Sequence, residues 1–292
     1  MTRPAGWTAA NARHAAGLLW PGKNPAARVY ESIGSDFFLA PAPGWLNLGL
    51  WDSPPAEDQV EDQAEAACRR LVSTLAADLP AGGVILDVGN GLAAQDPVIA
   101  AIAQPRRLLA LNITQWQLTA GRSRLRSAGA TAVVGDAVRL PVADASVDGI
   151  ISVEAAFHFR SRRMFFAECR RVLRPGGVLA MSDISTQRWP RDPAELAAGL
   201  TQLRLFGLRP GAAMTAERIA AAARAAGLAD VRVTRCGDRV IAPALRLAAV
   251  RLNDGVTAPT GQRSAARLLL RQVDLLWRRG VIDYLLLHAV RP

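Results

Sequence analysis

Lysine is almost absent from this chain: Lys23 is the only one among 35 basic residues, and arginine supplies the rest. Cysteine and histidine are equally sparse, at three each (Cys68, Cys169, Cys236; His14, His158, His288), and widely spaced. An odd, scattered cysteine set argues against a disulfide framework, and neither residue type shows the spacing of a metal site. No apolar run approaches the ~20 residues a membrane-spanning helix needs. The amino-terminal stretch, broken by Arg3, Asn11, Arg13 and His14, lacks the continuous apolar core of a signal peptide. The expectation is a soluble, cytoplasmic protein with no metal and no stable membrane insertion.

The net charge of +10 raises the question of nucleic acid. The arginine bias reads instead as GC-rich coding, and the arginines are spread along the chain with only short pairs such as Arg69-Arg70 and Arg278-Arg279. No nucleic-acid partner is expected. What the chain does have is apolar mass: half of its 292 residues are hydrophobic, enough for a packed core in one large domain or a domain with a cap.

Between Gly83 and Ile184, β-branched runs alternate with helical periodicity. Strands are predicted at Val84–Val88, Arg107–Asn112, Ala132–Val134, Val147–Val153 and Val178–Asp183. Helices are predicted at Ala93–Ala103, Gln115–Ser127 and Arg163–Val172, with a turn at Arg174–Gly177. Such alternation implies parallel βαβ units with right-handed crossovers, and ligands at the carboxyl ends of the strands. Further on come helices at Pro193–Phe206, Thr215–Ala226 and Ser264–Arg279, and strands at Asp230–Arg235 and Val281–Val290.

The chemistry concentrates in "VILDVGNGLA", Val84–Ala93. A buried strand carries Asp87 and then turns through Gly89, Asn90 and Gly91, where glycine permits a tight turn and close approach of backbone to ligand. Ala93 stands where a third glycine is common. Asn112 ends the second strand at the distance where nucleotide folds place a ribose ligand. "GDAVRLP" follows the third strand with Asp136 at its tip, and "DASVDGIISVEAAFHF" and "RVLRPGGVLAMSDI" come after it. A short-chain nicotinamide dehydrogenase would need a tyrosine–lysine pair four residues apart, and Lys23 has no such partner.

On these motifs the chain resembles the class I S-adenosylmethionine-dependent methyltransferases, most closely the small-molecule group acting on sugars, macrolides, tocopherols and mycobacterial lipids. The resemblance is dense from Val84 to Ile184. It implies an α/β fold: a doubly wound, Rossmann-like seven-stranded sheet, mostly parallel with the last strand antiparallel. It also implies S-adenosylmethionine as cofactor, with S-adenosylhomocysteine as product. Carried over, Asp87, Gly89, Asn90 and Gly91 bracket the cofactor's amino-acid part. Asn112, Ile113 and Gln117 serve its ribose side, Asp136 and Ala137 its adenine edge, and Glu154 lies beside the methyl donor. Two residues depart from the family pattern: Asn112 replaces the usual acid, and Asn90 a frequent cysteine. A nucleic-acid base methyltransferase would carry a proline-proline-aromatic motif after the fourth strand, where this chain has "EAAF".

Methyl transfer to a hydroxyl needs a base, and histidine suits neutral pH. His158 follows the fourth strand, where related O-methyltransferases carry a histidine, and Asp183 ends the adjacent fifth strand. Asp183 is expected to orient the imidazole. Read alone, His158 between Phe157 and Phe159 is a packed loop residue; the strand-end position and the nearby acid favour catalysis.

Residues 1–80 are expected to form a helical cap. Residues 81–292 form the core, with lid insertions at 185–212 and 240–280. Tyr30, Asn47, Trp51 and Phe157 are the candidates to touch cofactor or acceptor, with plain packing an equal reading for the aromatics. The apolar walls favour a hydrophobic acceptor such as a polyketide, terpenoid or lipid-linked hydroxyl, in secondary metabolism such as antibiotic biosynthesis. Carbon or nitrogen methylation, a non-methylating cyclase on the same fold, and homodimerisation are left open.

Overall fold

The computed structural model describes residues 40–52, 60–205, 208, 210–253 and 260–292. Tyr30 lies outside them, as does most of the expected cap.

The first described helix, α1 (Val60–Ala76), falls within the expected helical cap, inside which no single helix is delimited by the sequence. Its buried residues Ala64, Ala67, Cys68, Leu71, Val72 and Leu75 recur every three or four positions and form one apolar stripe. Then follow β1 (Val84–Val88), α2 (Asp96–Ala103), β2 (Arg107–Asn112), α3 (Gln115–Ala120), α4 (Arg122–Ser127), β3 (Ala130–Val134) and β4 (Val147–Val153). The second half holds α5 (Arg162–Val172), β5 (Leu173–Thr186), α6 (Pro193–Leu205), α7 (Ala216–Ala225), β6 (Ala229–Arg235), α8 (Gly237–Asn253), α9 (Thr260–Arg278) and β7 (Ile282–Val290).

The seven strands form one sheet in the order β3-β2-β1-β4-β5-β7-β6. The first five pair in parallel, and β7 runs antiparallel between β5 and β6. The strand order reverses between β1 and β4. These two are nearly continuous buried runs, as strands covered on both faces must be. One face is covered by α5 and α7, whose Phe165, Phe166, Cys169, Ile219 and Ala223 pack on Leu86, Ile150 and Leu179. On the other face, α1, α2 and α8 bring Leu71, Ile99, Val240 and Ile241 against Ile85, Leu108, Ile151 and Tyr284. The doubly wound α/β architecture is thus as expected.

Local departures have physical causes. The helix expected from Ala93 begins at Asp96, because Ala93 has φ 64° and cannot open a right-handed helix. The helix expected over Gln115–Ser127 breaks at Gly121. A Cβ there would stand 2.8 Å from the Ala93 Cβ, so the chain narrows where it crosses the glycine turn. The turn at Arg174–Gly177 is absorbed into β5 as a bulge: Leu173 pairs with Val147, and Val178 already pairs with Gly149. Finally, the long connection before β7 contains two helices, α8 and α9, rather than one.

Candidate cofactor and acceptor site

The glycine turn leaves β1 at the reversal of strand order. Gly89 has φ 84° and Gly91 φ 58°. A Cβ on Gly89 would come within 2.5 Å of the Ala155 Cβ, and one on Gly91 within 3.1 Å of Leu46. Here glycine is required by both conformation and space. The backbone N–H groups of Gly89 and Asn90 both reach the Leu111 carbonyl, locking the turn onto β2.

Asp87 is fully buried. Both of its oxygens accept from Gln95 Nε2, at 2.8 and 2.7 Å. Burial, reinforced by the charge of Asp96, holds the Asp87 carboxyl well above its ordinary range. Asp96 is pushed up to about 7, again by burial and against the hydrogen bond from Asn90. An acid pair kept this dry is prepared for a cationic group. Asn112, Asn90 and Gln117 form a connected set of side-chain amides beside the pair. Ile113 next to them is 41 % exposed. Asp136 closes its own turn by accepting from Val138 N–H at 3.1 Å, with Ala137 buried behind it.

Glu154 leaves β4 with φ 49°, a left-handed conformation that a non-glycine residue adopts at a cost. Its Oε1 accepts from Leu48 N–H and from the Tyr284 hydroxyl, both at 2.8 Å. Burial pushes this carboxyl up to about 7, opposed by those two donors. Glu154 thereby ties residues 46–48 to β7. Arg124 makes a second tie, donating to the carbonyls of Leu92 at 3.3 Å and Pro43 at 3.4 Å. The segment around Leu46 therefore lies over the glycine turn.

Asp183 is held on two sides: its Oδ2 accepts from Arg162 Nε at 2.6 Å, and its Oδ1 from Ile184 N–H at 2.9 Å. Arg162 also donates to the carbonyls of Ala212 and Ile184. A guanidinium with several donors satisfies a buried carboxylate better than one imidazole N–H does. His158 itself sits half-buried at the end of a 3-10 turn, Ala156–His158, with its ring 4.1 Å from that of the buried Phe157. Trp51 is 2 % exposed among Ala64, Ala67 and Leu247, and its Nε1 donates to the Leu48 carbonyl. That places it in the packing between α1 and α8. Asn47 is buried and accepts from Gly49 N–H.

Gln95, Asp96, Arg162 and Tyr284 are the polar site residues that the sequence reading passed over. Asp96 had a visible signal, an acid with a following proline at a helix start. Gln95 acts on Asp87, eight residues before it, and Arg162 and Tyr284 act through partners much further along the chain.

With this geometry in view, the comparisons are specific. A family model described as a methyltransferase domain matches residues 86–181. The chain is 29% identical over 266 residues to erythromycin 3''-O-methyltransferase of Saccharopolyspora erythraea, covering 87% of this chain and 84% of that one. It is 32% identical over 172 residues to O-methyltransferase rstn1 of Aspergillus nomiae, covering 58% of this chain and 73% of that one. Among solved structures, the cyclase SpnF aligns with a TM-score of 0.67 at 20% identity, over 91% of this chain and 97% of that one, a likeness of fold alone. The two glycines in left-handed conformation, the buried acid before them and these relatives converge: the chain belongs to the class I S-adenosylmethionine-dependent methyltransferases.

Proposed function

We propose that this enzyme transfers a methyl group to a hydroxyl of a hydrophobic small molecule, with His158 as general base. The observation that carries the reading is the position of His158, half-buried on the turn that leaves β4, four residues after Glu154. The relatives support the choice of oxygen, since both of those compared in sequence bear O-methyltransferase names.

In this proposal Asp87, Gly89, Asn90 and Gly91 hold the amino-acid end of the cofactor. Asn112, Ile113 and Gln117 hold its ribose, and Asp136 and Ala137 its adenine edge. The cofactor supplies an electrophilic methyl group on a sulfonium. Glu154 keeps residues 46–48 over the site and limits entry of water. His158 takes the acceptor's hydroxyl proton as the oxygen attacks, and Phe157 and Asn47 face the acceptor. Asp183, held by Arg162, stands behind this turn to orient the imidazole, and Arg162 ties in the Ala212 segment. Residues 185–212 and 240–280 act as lids: α6 meets α9 where Gln202 Nε2 donates to Gln272 Oε1 at 3.2 Å.

The test uses cofactor labelled in its methyl group and three sets of apolar acceptors, bearing hydroxyls, enolisable carbons or amines. Label on a hydroxyl supports the proposal. Label only on carbon or nitrogen overturns the choice of oxygen. Binding without any transfer favours the second reading, a scaffold like the cyclase whose fold this chain shares.

A further inference from the structure

Asn90 and Asn112, the two departures from the family pattern, touch each other. Asn112 Nδ2 lies 3.3 Å from Asn90 Oδ1, 3.0 Å from Gln117 Oε1 and 3.4 Å from the Gly91 carbonyl oxygen. Asn112 Oδ1 accepts from Thr114 N–H at 3.0 Å. Asn90 Nδ2 donates onward to Asp96 Oδ2 at 3.3 Å. Asn90, Asp96, Asn112 and Gln117 are all buried, so a misdirected group among them cannot turn to water instead.

The direction of this chain is set at both ends. A backbone N–H only donates, so Thr114 holds the Asn112 oxygen; a backbone carbonyl only accepts, so Gly91 faces the nitrogen. Asn90 must then show its oxygen to Asn112, which leaves its NH2 for Asp96. Asp96 Oδ2 accepts whether or not the other oxygen carries a proton. An ionised acid at position 112 would set its second oxygen against three acceptors: Gly91, Asn90 and Gln117. Turning Asn90 around would relieve one conflict and create another, oxygen against oxygen at Asp96.

We propose that Asn90 is a positioning residue for the ribose end of the cofactor site, holding the Asn112 amide through a one-way chain that starts at Asp96. This inference rests on the proposed placement of Asn112 against the ribose hydroxyls.

The test is calorimetric binding of S-adenosylhomocysteine to the full chain, with a thermal melt of each variant to confirm folding. Asn112→Asp alone should bind about tenfold more weakly, the scale of one buried conflict. Asp96→Asn combined with Asn112→Asp lets Asn90 turn to meet both new partners, so Asn112→Asp should cost less in the Asp96→Asn background than in the parent, a coupling that independent sites would not show. Asn90→Ser combined with Asn112→Asp, where a hydroxyl can donate to the new carboxylate, should also recover affinity and serves if the first pair does not fold. Parental affinity in Asn112→Asp, or no recovery in the folded pairs, overturns the chain. Asn112→Ala separates the two levels. Unchanged affinity there removes the ribose placement and the proposal with it; a loss there without recovery in the pairs removes the chain alone.

Discussion

Arg162 Nε meets Asp183 Oδ2 over 2.6 Å, with no more than 1% of either side chain exposed. Burial lifts the Asp183 carboxyl above its ordinary range, and Arg162 offsets part of that rise. The pair joins the first residue of α5 to the strand end of β5, and Arg162 reaches on to the Ala212 carbonyl. It is a structural joint behind the site.

Breaking one side of that joint should be costly. Arg162→Met leaves a buried carboxylate without its cation and is expected to lower stability by about 3–5 kcal/mol, whereas Arg162→Met with Asp183→Leu should recover most of it. Urea denaturation of both variants decides the matter. If the single variant costs under about 1 kcal/mol, the range of an exposed pair, the joint has been misjudged.

Glu154 predicts a pH dependence of stability. Its carboxyl is raised to about 7 from 4.5, so between those values the folded chain keeps a proton that the unfolded chain has lost. Stability from this group is therefore greatest at and below pH 4.5, declines as pH rises to about 7, and is level beyond. The decline is at most about 1.4 kcal/mol per pH unit. Glu154→Gln keeps an oxygen for Leu48 and Tyr284 while removing the titration, so it should reduce the slope between pH 5 and 7. Asp96, raised in the same window, should leave a residual slope. Equal slopes in parent and variant would refute the assignment.

His158→Ala should leave S-adenosylhomocysteine binding within about twofold and lower turnover by roughly 10²–10⁴, the range for loss of a positioned base. Turnover is read with whichever acceptor first accepts label. Undiminished turnover would return His158 to the status of a packed loop residue.

Asp87 should give up a proton when the cofactor's ammonium arrives, because an adjacent cation reverses the effect of burial. At pH 6.5 the binding enthalpy of S-adenosylhomocysteine should then vary with the ionisation enthalpy of the buffer. Asp87→Asn should remove part of that variation. A buffer-independent enthalpy in the parent would mean that Asp87 is already ionised.

Most of the fold was legible because its signals are local. The runs at Val84–Val88, Arg107–Asn112 and Val147–Val153 are bounded by turns, and their limits agree with the strands to the residue. α1 was equally legible from its period of three and four, but it was read as part of an undivided cap. The break at Gly121 had only a lone glycine to mark it, and the close approach of Ala93 that leaves no room for a side chain there was not legible. The candidate site divides in the same way. Asp87, Gly89, Gly91 and Asn112 are marked by position in a motif, whereas Gln95, Arg162 and Tyr284 acquire their roles only from partners that folding brings near. Asp183 shows the limit most plainly: its position at neighbouring strand ends was visible, and its ion pair with an arginine on α5 was not.

β7 enters the sheet between β5 and β6, although α8 and α9 intervene before it in the chain. During synthesis β6 is therefore complete while the strand it will pair with has yet to leave the ribosome. Until Ile282–Val290 emerges, β5 keeps an open edge and Glu154 waits for the Tyr284 hydroxyl. An unmet edge of this kind is where nascent chains pair with one another. Premature termination before Ile282 should thus yield aggregates rather than a smaller enzyme.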